Sequence, residues 1–316
     1  MGLMASLRTL QLDRSLDLVG TLRVLHRGPR DPTMRLSATT VERASNTPEG
    51  PAAIRVRIDG ETVRAEAWGP GADRLLDGIP AFLGLDDDAA GFEPRLHPLI
   101  ADLARRRPGF RLGRTGSVFE ALVPAVLEQR ITGLEAFRAY RRLILAHGAP
   151  APGPVGLWAP PSAAAISALP SFAFPPLGIE PHRGALLRRI ANEAARLEVI
   201  AEPAREPGAG GSGSAELSAR LRRYSGIGPW TAAEVTTRAP PPPPPLSVAD
   251  AHLSNLVGFA LAREPRATDD RMLELLAPWA GHRQRVIRLL EASGMAAPRY
   301  GPRIPPRDLR ELARRA

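Results

Sequence analysis

The sequence predicts an α+β chain: a small sheet-bearing unit followed by a longer, all-helical one. Three observations carry this. Apolar residues alternate with period two over residues 34–41, 53–58 and 62–68, as in strands with one buried face. From about residue 94 the apolar spacing changes to three and four, the period of helices. Between two helical stretches in 221–257 stands Gly226-Ile227-Gly228, followed by Pro229.

Composition narrows the chemistry. The chain has 316 residues, 44% of them apolar, and a formal net charge of +9. That is room for one large domain or two to three small ones, and the basic balance favours a polyanion partner. No run of 18 apolar residues occurs, so no membrane span is expected. All 42 basic residues are arginine, so no lysine ε-amine can form a Schiff base. Cysteine is absent. That excludes disulfides, thiolate zinc sites, cysteine nucleophiles and cysteine-ligated iron–sulfur clusters.

In order, residues 7–13 predict a strand and 17–26 a helix. The three alternating stretches follow, with Asp59-Gly60 as a hairpin turn. A helix over 72–83 closes this first unit, residues 1–93. The helical unit, 94–316, begins with a helix at 97–107. Ser117 can cap the next, running to Gln129. Further helices are expected at 134–147, 162–169, 181–197 and 214–223, with a proline-rich loop at 148–161. Residues 208–213 match G-x-G-x-x-G, but no strand precedes them. They are expected to be a surface loop rather than a dinucleotide site. Pro240 to Pro245 is a six-proline run, roughly 19 Å long as polyproline II. A tail from Arg299 holds six arginines and is expected to be solvated.

The hairpin carries the chemistry. Glycine tolerates positive φ and lets another backbone approach. Pro229 suits the first helical position. The free N–H groups there, with those of the hairpin, make a site for one phosphate. Asp250 follows Gly228 by 22 residues, in Val248-Ala249-Asp250-Ala251-His252. It opens a helix bearing Leu253, Leu256 and Val257.

A phosphate clamp plus a carboxylate at this separation resembles the helix-hairpin-helix DNA glycosylases, in particular the AlkA-type DNA-3-methyladenine glycosylases II. The matching residues are Gly226-Ile227-Gly228-Pro229-Trp230-Thr231-Ala232, Asp250, Phe119-Glu120-Ala121-Leu122 with Gln129, and Pro278-Trp279. Gly28-Pro29-Arg30-Asp31-Pro32 and Trp68-Gly69-Pro70-Gly71-Ala72 resemble the N-terminal TBP-like domain of that branch. The resemblance implies a TBP-like α/β domain, then a helical fold of two subdomains. One is expected over about 118–247, the other over 94–117 plus 248–316. It implies excision of alkylated purines such as 3-methyladenine and 7-methylguanine from damaged double-stranded DNA. The enzyme is expected to be a monomer in the bacterial cytoplasm, nucleoid-associated, with no membrane partner. No cofactor or metal is implied, except a possible monovalent cation at the hairpin carbonyls.

By the same resemblance Asp250 is the catalytic residue. A carboxylate facing the sugar of a flipped nucleotide stabilises the positive charge that grows at C1′. Trp230 and Trp279 are expected to line the base pocket, since Trp is the best face for a cationic purine. Gly226, Ile227, Gly228, Thr231, Gln129 and Arg130 are expected to meet DNA. Three positions depart from the family's pattern. Glu234 replaces an aromatic and is expected at the pocket, or in a salt bridge with Arg238 one turn on. Arg130 stands where an apolar wedge is inserted, and Ser225 replaces a proline. Trp230 also occupies the position of the lysine used by glycosylase-lyases. Two alternatives stay open: a glycosylase for oxidised or deaminated bases, and a non-catalytic hairpin DNA-binding protein.

Overall fold

The computed structural model describes residues 5–201, 210–239 and 250–298. A five-stranded antiparallel sheet comes first, in the order β1-β5-β4-β3-β2. Its strands are β1 (Ser6–Gln11), β2 (Met34–Leu36), β3 (Thr40–Thr47), β4 (Gly50–Asp59) and β5 (Thr62–Trp68). The expected single strand over 34–41 is two. Ser37 takes the Thr40 amide on its hydroxyl at 3.0 Å and turns the chain there. Between β1 and β2 lies α1 (Leu18–Leu22), capped by Asp17 and followed by a 3₁₀ turn, Arg23–Leu25.

Against one face of the sheet pack α2 (Ala72–Asp77) and α3 (Ile79–Phe82). The single helix expected over 72–83 is two, because Gly78 and Pro80 interrupt it. Leu18, Leu22, Val41, Val56, Val63, Ile79 and Leu83 form the apolar layer between.

The helical part opens with α4 (Pro98–Arg106) and α5 (Val118–Leu127). Every residue of α5 except Glu120 is buried, as befits a helix that is apolar all round. It is the axis of the hairpin-bearing core, packed on α6 (Gly133–His147), α7 (Ala163–Ala168), α8 (Pro181–Asn192) and α9 (Ala194–Ala201). Two short strands, β6 (Ala149–Pro150) and β7 (Trp158–Ala159), pair within the proline-rich loop. The helix expected over 181–197 is split at Glu193 into α8 and α9.

The same core receives α10 (Gly210–Leu221) and α11 (Pro229–Arg238). The loop expected over 208–213 is thus helical from Gly210, where α10 runs back one turn from the buried Ser214, Leu217 and Leu221. A third core joins α4 to α12 (Ala251–Ala262), α13 (Asp269–Leu275) and α14 (Arg283–Ala292). The six-proline run and the arginine tail lie outside the described residues. No described helix is long and apolar enough to cross a membrane.

The sheet is tied to α5 by charge. Arg43 of β3 pairs with Glu120, which also accepts the Asn46 amide at 2.8 Å. Burial pushes the Glu120 carboxyl above its ordinary range, against the pull of Arg43.

Candidate active site

The hairpin joins α10 to α11. Gly226 has φ +96°, a conformation strained for any residue with a Cβ. Ile227 is buried, and its N–H donates to the Tyr224 carbonyl at 2.9 Å. The isoleucine therefore anchors the turn while both glycines stay on the surface. Gly228 is extended, and a Cβ there would meet no protein atom within 4 Å. Nothing inside the protein requires glycine at 228; the space it leaves lies outside. Beyond it, the N–H groups of Gly228, Trp230 and Thr231 have no acceptor among the described residues.

Gln129 braces this hairpin. Its amide nitrogen donates to the Gly226 carbonyl and to the Thr231 hydroxyl, both at 2.9 Å. Thr231 is buried, and its hydroxyl is already taken by Gln129. Arg130, just past α5, is exposed and has φ +53°.

Asp250 caps α12. One carboxylate oxygen accepts the His252 and Leu253 amides at 2.9 and 3.2 Å. The other accepts the Trp230 indole N–H at 3.0 Å. The carboxylate thus bridges the starts of α11 and α12, with three N–H donors fixing its plane.

These groups face a cleft of about 1490 Å³. One wall is the hairpin and Trp230; another is the turn after α5; Asp250 and His252 also line it. Its inner wall comes from the sheet unit and the helices behind it, through Arg27, Glu128 and Arg238. Arg27 pairs with Glu128 at 3.0 Å, and Arg238 donates to the Val24 carbonyl at 3.3 Å.

Two expected pocket residues are placed elsewhere. Trp279 is buried in the core of α4 and α12–α14, where its indole N–H donates to the Glu93 carbonyl at 2.8 Å. A buried indole settles where its N–H finds an acceptor, and residue 93 supplies one away from the cleft. Glu234 pairs with Arg238 on α11, leaving the arginine, not the glutamate, on the cleft wall. Burial alone would raise the Glu234 carboxyl; Arg238, Arg288 and Arg27 together hold it below its ordinary range.

The inner wall was missed in the sequence. Arg27 directly precedes the Gly28-Pro29 segment and Glu128 directly precedes Gln129. Adjacency to family-marked residues was the available signal.

The hairpin carbonyls do not fit a cation well. Ser225 takes the Arg189 guanidinium, Gly226 takes Gln129 and Tyr224 takes the Ile227 amide. A guanidinium already supplies positive charge there. Among the described residues no cluster of three or more His, Asp or Glu could hold a metal.

No family model and no curated protein matches the sequence. Solved structures do match the fold. A 3-methyladenine DNA-glycosylase from Archaeoglobus fulgidus superposes with TM-score 0.72 at 17% identity, over 91% of this chain and 99% of that one. A Clostridium acetobutylicum 8-oxoguanine glycosylase/lyase, in complex with double-stranded DNA, gives 0.64 at 13%, over 93% and 99%. The Schizosaccharomyces pombe 3-methyladenine DNA glycosylase Mag1, in complex with abasic DNA, gives 0.52 at 18%, over 66% and 96%. With its sheet unit, its glycine hairpin and the carboxylate beyond it, the chain has the fold of the helix-hairpin-helix DNA glycosylases.

Proposed function

We propose that the chain is a monofunctional DNA glycosylase that flips alkylated purines out of damaged duplex DNA and hydrolyses their N-glycosidic bond. The observation that carries this reading is the Asp250 carboxylate, held at the cleft by the indole of Trp230 from the hairpin helix. Phosphate would sit on the free N–H groups of Gly228, Trp230 and Thr231. Arg130 at the cleft rim would enter the gap left by the flipped nucleotide. As the bond breaks, Asp250 stabilises the charge growing at C1′ and orients a water. Alkylated purines leave readily, so no strong general acid is needed. Trp230 offers its ring face to such a base. With no lysine in the chain, strand cleavage through a lysine Schiff base is outside its chemistry. We propose that it acts as a monomer in the bacterial cytoplasm, on the nucleoid.

The test is base release from DNA treated with a methylating agent, wild type beside Asp250→Asn. Release by the wild type alone supports the reading; equal single-turnover rates would overturn it. Gly228→Ala tests the clamp separately. The added methyl meets no protein atom, so the variant should fold normally. It should nonetheless bind duplex DNA several-fold more weakly and with a shallower salt dependence. Unchanged affinity would remove the phosphate from Gly228.

A further inference from the structure

The inner wall of the cleft says more about the base than the hairpin does. Arg27 and Arg238 are each only 8% exposed, and what exposure they have is to the cleft. Neither guanidinium is filled. Arg27 uses Nη1 for Glu128, leaving Nε and Nη2. Arg238 uses Nη1 for Glu234 and Nε for Val24, leaving Nη2. These remaining nitrogens have no partner among the described residues, and they are not among the atoms sealed from solvent. They open onto the cleft. Burial holds the Arg27 guanidinium below its ordinary value, with Glu128 opposing and Arg238 adding to the shift. An acceptor supplied from the cleft would offset that burial at Arg27 and occupy the open nitrogen of Arg238.

Position and pattern point to the acceptor. Arg238 lies eight residues beyond Trp230 on α11, roughly 12 Å further along the helix at 1.5 Å per residue. Arg27, Glu128 and Arg238 line the same cleft as Asp250, so a base whose sugar sits at Asp250 can turn its far edge to this wall. The wall offers guanidinium donors with the Glu128 carboxylate paired to Arg27 beside them, while the other carboxylate near Arg238 on the cleft lining, Glu291, is paired with Arg288. A guanine-type edge carries a carbonyl oxygen next to a ring N–H. The oxygen can take both arginines and the N–H can reach Glu128. An adenine-type edge puts an amino group, itself a donor, where the carbonyl would be. That leaves buried donors facing a donor, the arrangement by which polar sites reject analogues most strongly.

We propose that Arg27, Arg238 and Glu128 read a lactam edge, so that the pocket favours guanine-derived and hypoxanthine lesions over adenine-derived ones. This rests on the glycosylase reading and names its substrate class more closely: 7-methylguanine ahead of 3-methyladenine.

The experiment uses the full chain on DNA methylated with dimethyl sulfate. Release of 7-methylguanine and 3-methyladenine is measured in one sample, each divided by its spontaneous loss. Oligonucleotides carrying hypoxanthine or 1,N6-ethenoadenine, which lacks the lactam, provide a second ratio. Because each ratio compares two bases under one enzyme preparation, it does not depend on the fraction folded. The expected result is a preference of at least about tenfold for the lactam member of each pair, falling toward unity in Arg27→Gln and Glu128→Gln. A wild-type preference for the adenine-type base would overturn the proposal and leave the glycosylase reading standing. So would a lactam preference that both variants keep. Release of no base from any substrate would remove the glycosylase reading and this inference with it.

Discussion

Two buried arginine–glutamate pairs sit in different parts of this molecule and behave in opposite ways. Arg43–Glu120 joins the sheet to α5; Glu234–Arg238 lies behind the cleft wall. In both, burial pushes the carboxyl up. At the junction that push wins: Glu120 faces Arg43 and the Asn46 amide, while Glu198 adds further repulsion. Behind the cleft it loses, because Arg288 and Arg27 add to Arg238. The pair itself does not decide the direction; the number of guanidiniums around the carboxylate does. The junction is a joint closed on itself. The cleft wall holds positive charge with open donors, the arrangement of a surface awaiting a ligand.

The sharpest way to separate the two regions is at Asp250. Asp250→Asn should lower single-turnover excision by about 100-fold or more while abasic-DNA binding persists. Glu120→Ala should leave the excision rate of the folded protein unchanged. If both variants lose activity alike, the division between joint and site fails.

Stability is the next contrast. Removing Glu120 leaves Arg43 mostly buried without its partner, which should cost roughly 3–5 kcal/mol. Chemical denaturation measures it. Glu234→Ala should cost less, since Glu128 and Glu291 still act on Arg238.

pH sharpens the comparison further. The Glu120 carboxyl is raised in the fold, so its stabilising contribution is full below its unfolded value near 4.5 and is lost as pH climbs through the folded value above that. The Glu234 carboxyl is lowered, so its contribution is present above 4.5 and is lost as pH falls through a lower folded value. Thermal unfolding between pH 3 and 7 should show Glu234→Gln flattening the acid-side loss. Glu120→Gln should flatten the fall on the neutral side. The same effect from both variants would contradict the assignment.

The smallest expected effect concerns the two tryptophans. Trp279→Phe removes the indole bond to Glu93 and should cost about 1 kcal/mol with excision intact. Trp230→Phe keeps the ring but frees Asp250 from its indole partner, and should slow excision with little change in DNA affinity. Equal catalytic losses from both would put Trp279 back at the site.

The local features were legible because short-range rules govern them. Gly226 needs a positive φ, Pro229 suits a first helical turn, and Asp250 ahead of Leu253, Leu256 and Val257 reads as a cap with its helix. The alternation over 53–58 and 62–68 required a sheet with one buried face, and the spacing beyond residue 94 required helices. Tertiary structure chose the partners. Trp230 and Trp279 are the same residue type, each just after a proline; one meets Asp250 and the other Glu93, 186 residues away. Arg27 reaches Glu128 across 101 residues, and Glu234 turns to Arg238 rather than the cleft. A turn or a cap is settled by the few residues beside it. A buried indole or guanidinium accepts any suitable partner, and only the packing of distant segments brings one within reach.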